Sequence, residues 1–502
     1  MSSKKNGGAG KPSAMTYEPY GIEIIPQKER TYKATHIFKV MLGANLTYST
    51  IIFGSFPILF GLSWWASFTS VLAGCFIGGI YLAPTALFGP KTGTNNAVSS
   101  GAHFGIAGRF IGTFLALFSA LGFTAITIWT SGQALSSGVA RLVGVSDNST
   151  SQAISYIVIW AVVVWATVRG IHLVVSLQER VMMPVMGVVL ALGVIAFWPM
   201  FDSGYKGGTL LLGSFTATWL ASTLIIASVI VSYGPFVGDW SRYIDTNTNP
   251  PKTLLWWAFL GGFVGLTIPF MWGAYVTSTF AADAATFIAS LVATSPTWYV
   301  LGLIIVGLVA GIAQGTIGLY GTGLDTSSLI PRLSRQQSTL LIGFVSIFLV
   351  FMGAFVWDAI AATNAFLVIL LVVTAPWIVI LAIGYFARGG NYLPDDLQVF
   401  NRHQRGGRYW FNAGWNLRAV GAWIPASVIG LLMAYAPPLL TGPWSNIAGG
   451  IDISFIAASV VAGVLYALFL VIFPEPDYVF DSKGPRFGRK KSGGKAEAVT
   501  KR

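Results

Sequence analysis

The sequence predicts an all-α polytopic membrane protein of about twelve transmembrane helices, and three observations carry that prediction. Hydrophobic residues make up 54% of the 502-residue chain and charged residues only 10%. A soluble domain covers its surface with about one quarter charged residues, so lipid must cover much of this one. Apolar runs recur along the chain, most of them reaching the ~20 residues that span a hydrocarbon core of about 30 Å. Basic residues alternate with those runs in the pattern that fixes orientation across a bilayer.

Taken in order, residues 1–35 are polar and charged, which predicts a cytoplasmic tail and no cleavable signal peptide. Spans are expected at 36–61, 63–88, 107–137, 152–170, 175–198, 217–240, 254–279, 297–325, 338–356, 359–387, 419–440 and 453–473. A cytoplasmic loop at 388–418 precedes helices eleven and twelve (419–475), and a basic cytoplasmic tail follows at 476–502. With both termini inside, only Arg141 and Lys206 of the 30 Lys and Arg residues fall on the outer side. One span more or fewer would scramble that alternation. The net charge of +12 therefore reflects a cytoplasmic membrane face rather than nucleic acid. The expected location is the plasma (cell inner) membrane. Cys75 is the one cysteine, placed within the second span, so no intramolecular disulfide exists. No cofactor is implied, and no obligate protein partner.

Spans one to five (36–198) and six to ten (217–387) form two blocks of similar length. An odd number of spans per block inserts the second upside down, as in inverted-repeat transporters, whose sites lie at matching interrupted helices. Helix six contains VSYGPFVGDWSRYI, with Gly234-Pro235 inside the apolar run. Proline removes an N–H and displaces the carbonyl one turn earlier, while glycine tolerates unwound backbone. Helix one reads HIFKVMLGANLTYSTIIFGSFPILFG and gathers Gly43, Asn45, Thr47, Tyr48, Ser49 and Thr50 at membrane depth. Freed backbone groups in hydrocarbon cost several kcal/mol each unless something satisfies them. A kink that only shapes packing is the alternative for either break alone; the matched pair favours a polar ligand site at the midplane.

These segments resemble the nucleobase–cation symporters, the purine–cytosine permease family. SYGPFVGDWSRYI is similar to that family's sixth helix, where a small-residue turn leads into D-x-S-R-Y, and LGANLTYSTIIFG to its first. FGPKTGTNNAVSSGAHFGIAGR resembles its second inner loop, GFTAITIWTSGQAL its third helix, and GRYWFNAGWNLRAVGAWIPA the entry to its eleventh. The resemblance runs in order from about 36 to 475. It implies a leucine-transporter-like fold, with 5+5 inverted repeats plus two peripheral helices, and cation-coupled import of a flat heterocycle.

Carried over by position, the resemblance assigns substrate contacts to Asn45 and Thr47 in helix one and to Phe123 and Thr127 in helix three. It also assigns them to Ser232 in helix six and to Gln314 and Gly318 in helix eight. Phe123 matches a stacking aromatic. The second stacking position aligns with Ile230, so Tyr233 or Tyr320 would have to supply the other face. Taken without the resemblance, Phe123 reads better as helix packing, and Asn45 and Gln314 read equally as interhelical hydrogen bonds. The coupling ion is expected to be H+ or Na+. Sodium-coupled relatives hold the ion between helix-one carbonyls, here Gly43 and Leu46, and helix-eight hydroxyls. The aligned residues are Ile312 and Ala313, leaving Thr316, carbonyls and water, or a proton instead; the reading leans to the proton.

Acids at membrane depth are functional candidates. Asp325 follows Gly318 by two turns on one helix face, and Asp239 can pair with Arg242 to cap and gate the inner end of helix six, beside Gly234 and Pro235. His36, His103 and His172 lie at inner interfaces without metal spacing. A membrane-embedded enzyme is the other class. GTGLD at 321–325 has one residue too many for an intramembrane aspartyl protease motif, and neither H-E-x-x-H nor a Walker A lysine motif occurs. A channel would share the polar breaks but not the inverted repeats. Cytosine, uracil and purines are the expected substrates; allantoin, hydantoins and vitamin-like heterocycles stay open.

Overall fold

The structure, a computed structural model, describes residues 22–169, 183–280, 286–329, 334–357, 359–402, 404–436, 440–449 and 451–480. His172, Arg180, Arg332, residues 1–21 of the N-terminal tail and residues 481–502 lie outside the described residues, as does the side chain of Asp325.

Each predicted span corresponds to helix. The first is two helices, α1 (Thr35–Asn45) and α2 (Tyr48–Leu59), and α3 (Trp64–Thr85) follows. A connecting helix, α4 (Asn96–Phe104), leads to α5 (Arg109–Val143), α6 (Ser149–Arg169) and α7 (Met183–Phe197). The sixth span is again two helices, α8 (Phe215–Val231) and the single turn α9 (Val237–Ser241), followed by α10 (Pro251–Thr277). The eighth is α11 (Thr297–Ile305), one π-helical turn at Val306–Ala310, and α12 (Gly311–Leu329). Helices α13 (Arg335–Phe355), α14 (Ala359–Ala387), α15 (Leu417–Met433) and α16 (Ser454–Ile472) complete the bundle. Among the described residues, nine helices are long and apolar enough to cross a membrane. The bent α1–α2 pair adds a tenth span, and α8 and α15 are shorter apolar helices.

Helix is the form these runs must take, because apolar surroundings leave backbone N–H and C=O groups no partner but each other. Serines at the edges of the runs close the helix starts: Ser63, Ser214 and Ser334 accept from the N–H groups of Ala66, Ala217 and Gln337. Helix α5 runs six residues past the predicted end of its span, to a left-handed Gly144. The polar, small-residue stretch ALSSGVARLV supports helix beyond the apolar run.

Helix α3 packs on α8 and α10, α10 on α1 and α2, and α5 on α12. Glycine sets the closest of these approaches: a Cβ on Gly54 of α2 would lie 2.1 Å from the Phe270 carbonyl oxygen of α10. A Cβ on Gly273 of α10 would likewise lie 2.1 Å from the Ile51 carbonyl oxygen of α2, so only glycine lets the two backbones come this close.

A buried polar cluster ties the end of the bundle that carries residues 22–34. Arg388, just past α14, donates from Nε and Nη2 to both Glu475 carboxylate oxygens at 3.0 and 2.7 Å. Asn416 donates to the His103 carbonyl at 2.7 Å, and the His103 Nε2 lies 2.9 Å from the Tyr392 hydroxyl. Burial, and then the Arg388 charge, hold the His103 imidazole well below its usual pKa. Burial works against the Arg388 charge too, but Glu475 more than reverses that and keeps the guanidinium firmly protonated.

Candidate functional site

The two helix breaks face each other, and side chains bridge them. Helix α1 stops at Asn45; Leu46 leaves helical geometry, Thr47 is extended, and α2 restarts at Tyr48 after a bend of 75°. Thr47 caps the new helix by accepting from the Thr50 N–H at 3.4 Å. In the sixth span α8 ends at Val231, and a run of turns through Gly234-Pro235 reaches α9. The unwound Gly234 carbonyl accepts from Asn96 Nδ2 at 2.7 Å, and the same amide donates to the Thr85 carbonyl at 2.9 Å. Asn96 is thus the group that satisfies the break from outside its own helix.

Between the breaks lies a continuous hydrogen-bond chain. Asn45 donates from Nδ2 to the Met41 carbonyl at 2.6 Å, and its Oδ1 accepts from the Tyr233 hydroxyl at 2.6 Å. The Tyr233 oxygen in turn accepts from Gln314 Nε2 at 3.4 Å. Gln314 Oε1 accepts from Thr47 Oγ1 at 2.6 Å and from Ser49 Oγ at 2.5 Å. Asn45, Thr47, Tyr233 and Gln314, four of the substrate residues expected from the sequence, therefore form one network across α1, the sixth-span break and α12.

The others take different places. Thr127 and Thr124, on α5, bury hydroxyls that have no hydrogen-bond partner, and a Cβ on Gly318 would lie 3.0 Å from Thr124 Oγ1. These two α5 hydroxyls are unspent groups a ligand can use. Phe123 meets Phe53 and Phe366 edge-on, with centroids 6.1 and 5.6 Å away. Ser232 turns its hydroxyl onto the Val229 carbonyl at 2.6 Å. Ile230 faces away from the network: a Cβ on Gly78 of α3 would lie 2.6 Å from it. The Tyr233 ring, tilted 5.9 Å from Trp240, is the aromatic beside the network.

Of the expected cation residues, Gly43 lies within α1 and Leu46 at its end, while the Thr316 hydroxyl donates back to the Ile312 carbonyl at 2.5 Å. Pro235 is buried in the turn, Asp239 lies on α9, and Arg242 is buried at its C-cap with its guanidinium 5.3 Å from the Tyr243 ring centroid. Asp325 lies on α12.

Three contributors are not among the contacts expected from the sequence. Asn96 comes from the connecting helix α4. Ser49 reads as one hydroxyl among several. Phe366 belongs to α14, which reaches both Phe123 of α5 and, through the Leu367 carbonyl, Ser228 of α8 at 2.7 Å. A cavity of about 170 Å³ lined by Phe60, Ala221, Ser228, Asn364, Tyr435 and Asp452 lies behind that contact. It touches none of the network residues, so the network rather than the cavity is the candidate site.

Comparison with known proteins gives the family and the fold of the chain. The chain matches YxlA of Bacillus subtilis (strain 168), provisionally named a purine-cytosine permease, at 26% identity over 477 residues. That match covers 91% of this chain and 96% of the relative. Its fold is similar to Mhp1, a nucleobase-cation-symport-1 family transporter solved closed with bromovinylhydantoin bound, with a TM-score of 0.69 at 17% identity. The likeness covers 93% of this chain and 97% of Mhp1. A Na+-coupled sialic acid symporter in a substrate-bound outward-open state is similar at a TM-score of 0.56 and 14% identity, over 89% of this chain and 91% of its own. The leucine-transporter-like fold expected from the sequence is therefore the fold of the chain. Residues 24–457 match the family of permeases for cytosine and purines, uracil, thiamine and allantoin, and the chain belongs to that family.

Proposed function

We propose that the protein imports a nucleobase of the cytosine, uracil or purine class by cation symport with alternating access. The observation that carries this reading is the network in which Tyr233, Asn45 and Gln314 join both helix breaks. A nucleobase is planar, neutral and edged with alternating donors and acceptors. Amides present a donor and an acceptor together, and a bound base would exchange with the bonds that Asn45 and Gln314 make to protein. Phe123 or Tyr233 supplies a stacking face, worth about 1–3 kcal/mol by the precedent of base–aromatic stacking. Thr127, Gly318 and the Ser232 backbone complete the wall.

In this reading the chain is a transporter and not an enzyme. It lies in the plasma membrane with both termini cytoplasmic, and spans 36–198 and 217–387 are inverted repeats. Helices α1–α2 and α8–α9 rock about their breaks, with Gly234, Pro235, Asp239 and Arg242 forming the hinge and cytoplasmic gate and Asp325 on the same route. The contacts of α14 with α5 and α8 would then close the outer side. The test is uptake of labelled nucleobases into cells lacking their own permeases. Saturable accumulation of one base supports the reading; a panel in which no base accumulates overturns it and leaves allantoin, hydantoins and vitamin-like heterocycles.

A further inference from the structure

The cavity beside the contact of α8 with α14 is built from separate parts of the chain. Leu224 and Ile225 of α8 form one apolar wall, Val368 and Leu371 of α14 another, and Phe60, just past α2, a third. Polar groups come from Asn364 near the start of α14 and from the connection between α15 and α16, which brings Tyr435 and Asp452 to the same space. Asn364 and Arg388 lie at opposite ends of α14, so the cavity is at the end of the bundle away from residues 22–34. That end is the outer one in the reading above.

At about 170 Å³ the cavity has room for one aromatic ring and a short chain; a cavity of about 150 Å³ takes up benzene. Asp452 lines it and is only 8% exposed. Its Oδ1 accepts from the Ser454 N–H at 2.8 Å, where α16 begins, and its Oδ2 from the Tyr435 N–H at 3.2 Å. Each oxygen keeps a further lone pair. Among the described residues no lysine or arginine pairs with Asp452. A helix cap needs no charge, since serine caps α3, α8 and α13. Two backbone N–H groups offset part of the cost of taking a carboxylate out of water, and the charge itself is left without a counter-charge. A buried acid on an apolar space of this size fits a cation that brings its own apolar body.

We propose that this cavity binds a small organic monocation, an amine joined to a single aromatic ring, with the ring between α8 and α14 and the ammonium on Asp452. Asn364 and Tyr435 offer further polar contacts beside it. The occupant would touch α8, α14 and the α15–α16 connection at once, next to the Ser228–Leu367 bond that joins the first two at 2.7 Å. It would hold these elements together. In the alternating-access reading, on which this consequence rests, it slows uptake without competing for the transported molecule.

The test uses purified full-length protein with phenethylamine as the probe and phenethyl alcohol, its uncharged counterpart, as the control. Each is titrated at neutral pH and followed by thermal unfolding. The wild type is expected to be stabilised saturably by the amine, with a midpoint concentration at least tenfold below that of the alcohol. Ala221→Leu, which puts a larger side chain into the cavity, raises the amine midpoint at least tenfold, and Asp452→Asn brings the amine and alcohol midpoints together. Gln314→Ala keeps the wild-type midpoint, which separates the cavity from the network between the helix breaks. No saturable stabilisation of the wild type, equal midpoints for amine and alcohol, or an unchanged midpoint in Ala221→Leu overturns the proposal. So does a midpoint that moves in Gln314→Ala. If Asp452→Asn does not fold, Ala221→Leu decides. Failure of the nucleobase reading leaves a different trace, an intact response to the amine in a protein that takes up no base.

Discussion

At the scale of single residues, the site depends on groups that exist to satisfy other groups. Tyr233→Phe removes the short bond to Asn45 Oδ1 and leaves that buried acceptor only the long 3.4 Å bond from the Thr50 hydroxyl, a loss of about 1–3 kcal/mol. Uptake at equal surface expression is expected to fall about tenfold or more, with the protein still folded; wild-type uptake would remove Tyr233 from the site. Asn96→Asp keeps the shape but turns a carboxylate towards the Gly234 and Thr85 carbonyls, so transport should be nearly abolished while Asn96→Ala retains a residual rate. Equal rates in the two variants would show that Asn96 only fills space. The four network residues were picked out through the family resemblance; without it, Asn45 and Gln314 read equally as interhelical hydrogen bonds. Asn96 was not picked out, because its partner Gly234 is 138 residues away and only the folded chain brings them together.

At the scale of elements, the breaks were legible and the π turn was not. Gly-Pro in an apolar run and a Gly-Ala-Asn-Leu-Thr run both announce lost helix, as found after Asn45 and Val231. The turn at Val306–Ala310 lies in an apolar run with no Gly-Pro or polar break to announce it; it is a local underwinding with i→i+5 bonds, and it adjoins the helix that carries Gln314. Residues beyond the bilayer follow ordinary electrostatics. With its pKa lowered by burial and Arg388, His103 stays neutral in the fold while the unfolded chain binds a proton below about pH 6.5. Stability should therefore be full above that pH and fall as pH drops below it, by up to ~1.4 kcal/mol per unit. Thermal midpoints from pH 8 to 5 should show this slope in wild type and a flatter one in His103→Gln; identical slopes would remove His103 as the cause. Removing one partner of the Arg388–Glu475 pair leaves a buried charge, so Glu475→Ala should cost about 3–5 kcal/mol, read as a lowered midpoint at pH 7.5.

At the scale of the whole molecule, the helical bundle was legible because chain length in lipid leaves few alternatives: among the described residues ten spans, counting the bent α1–α2 pair as one, and the shorter apolar helices α8 and α15 fall on predicted spans. The arrangement of the site was legible only by family resemblance. The contacts of Phe123, Phe366 and Ser49 depend on how distant helices cross, and no local pattern encodes that. What unites the scales is a single claim: the two helix breaks and Gln314 form one site for a nucleobase. The most direct test is equilibrium binding of labelled nucleobases to purified wild type and Gln314→Ala, both checked for folding by thermal unfolding. The account predicts saturable binding of one base by the wild type and at least a tenfold weaker affinity in Gln314→Ala. Equal affinity in the two proteins would contradict it.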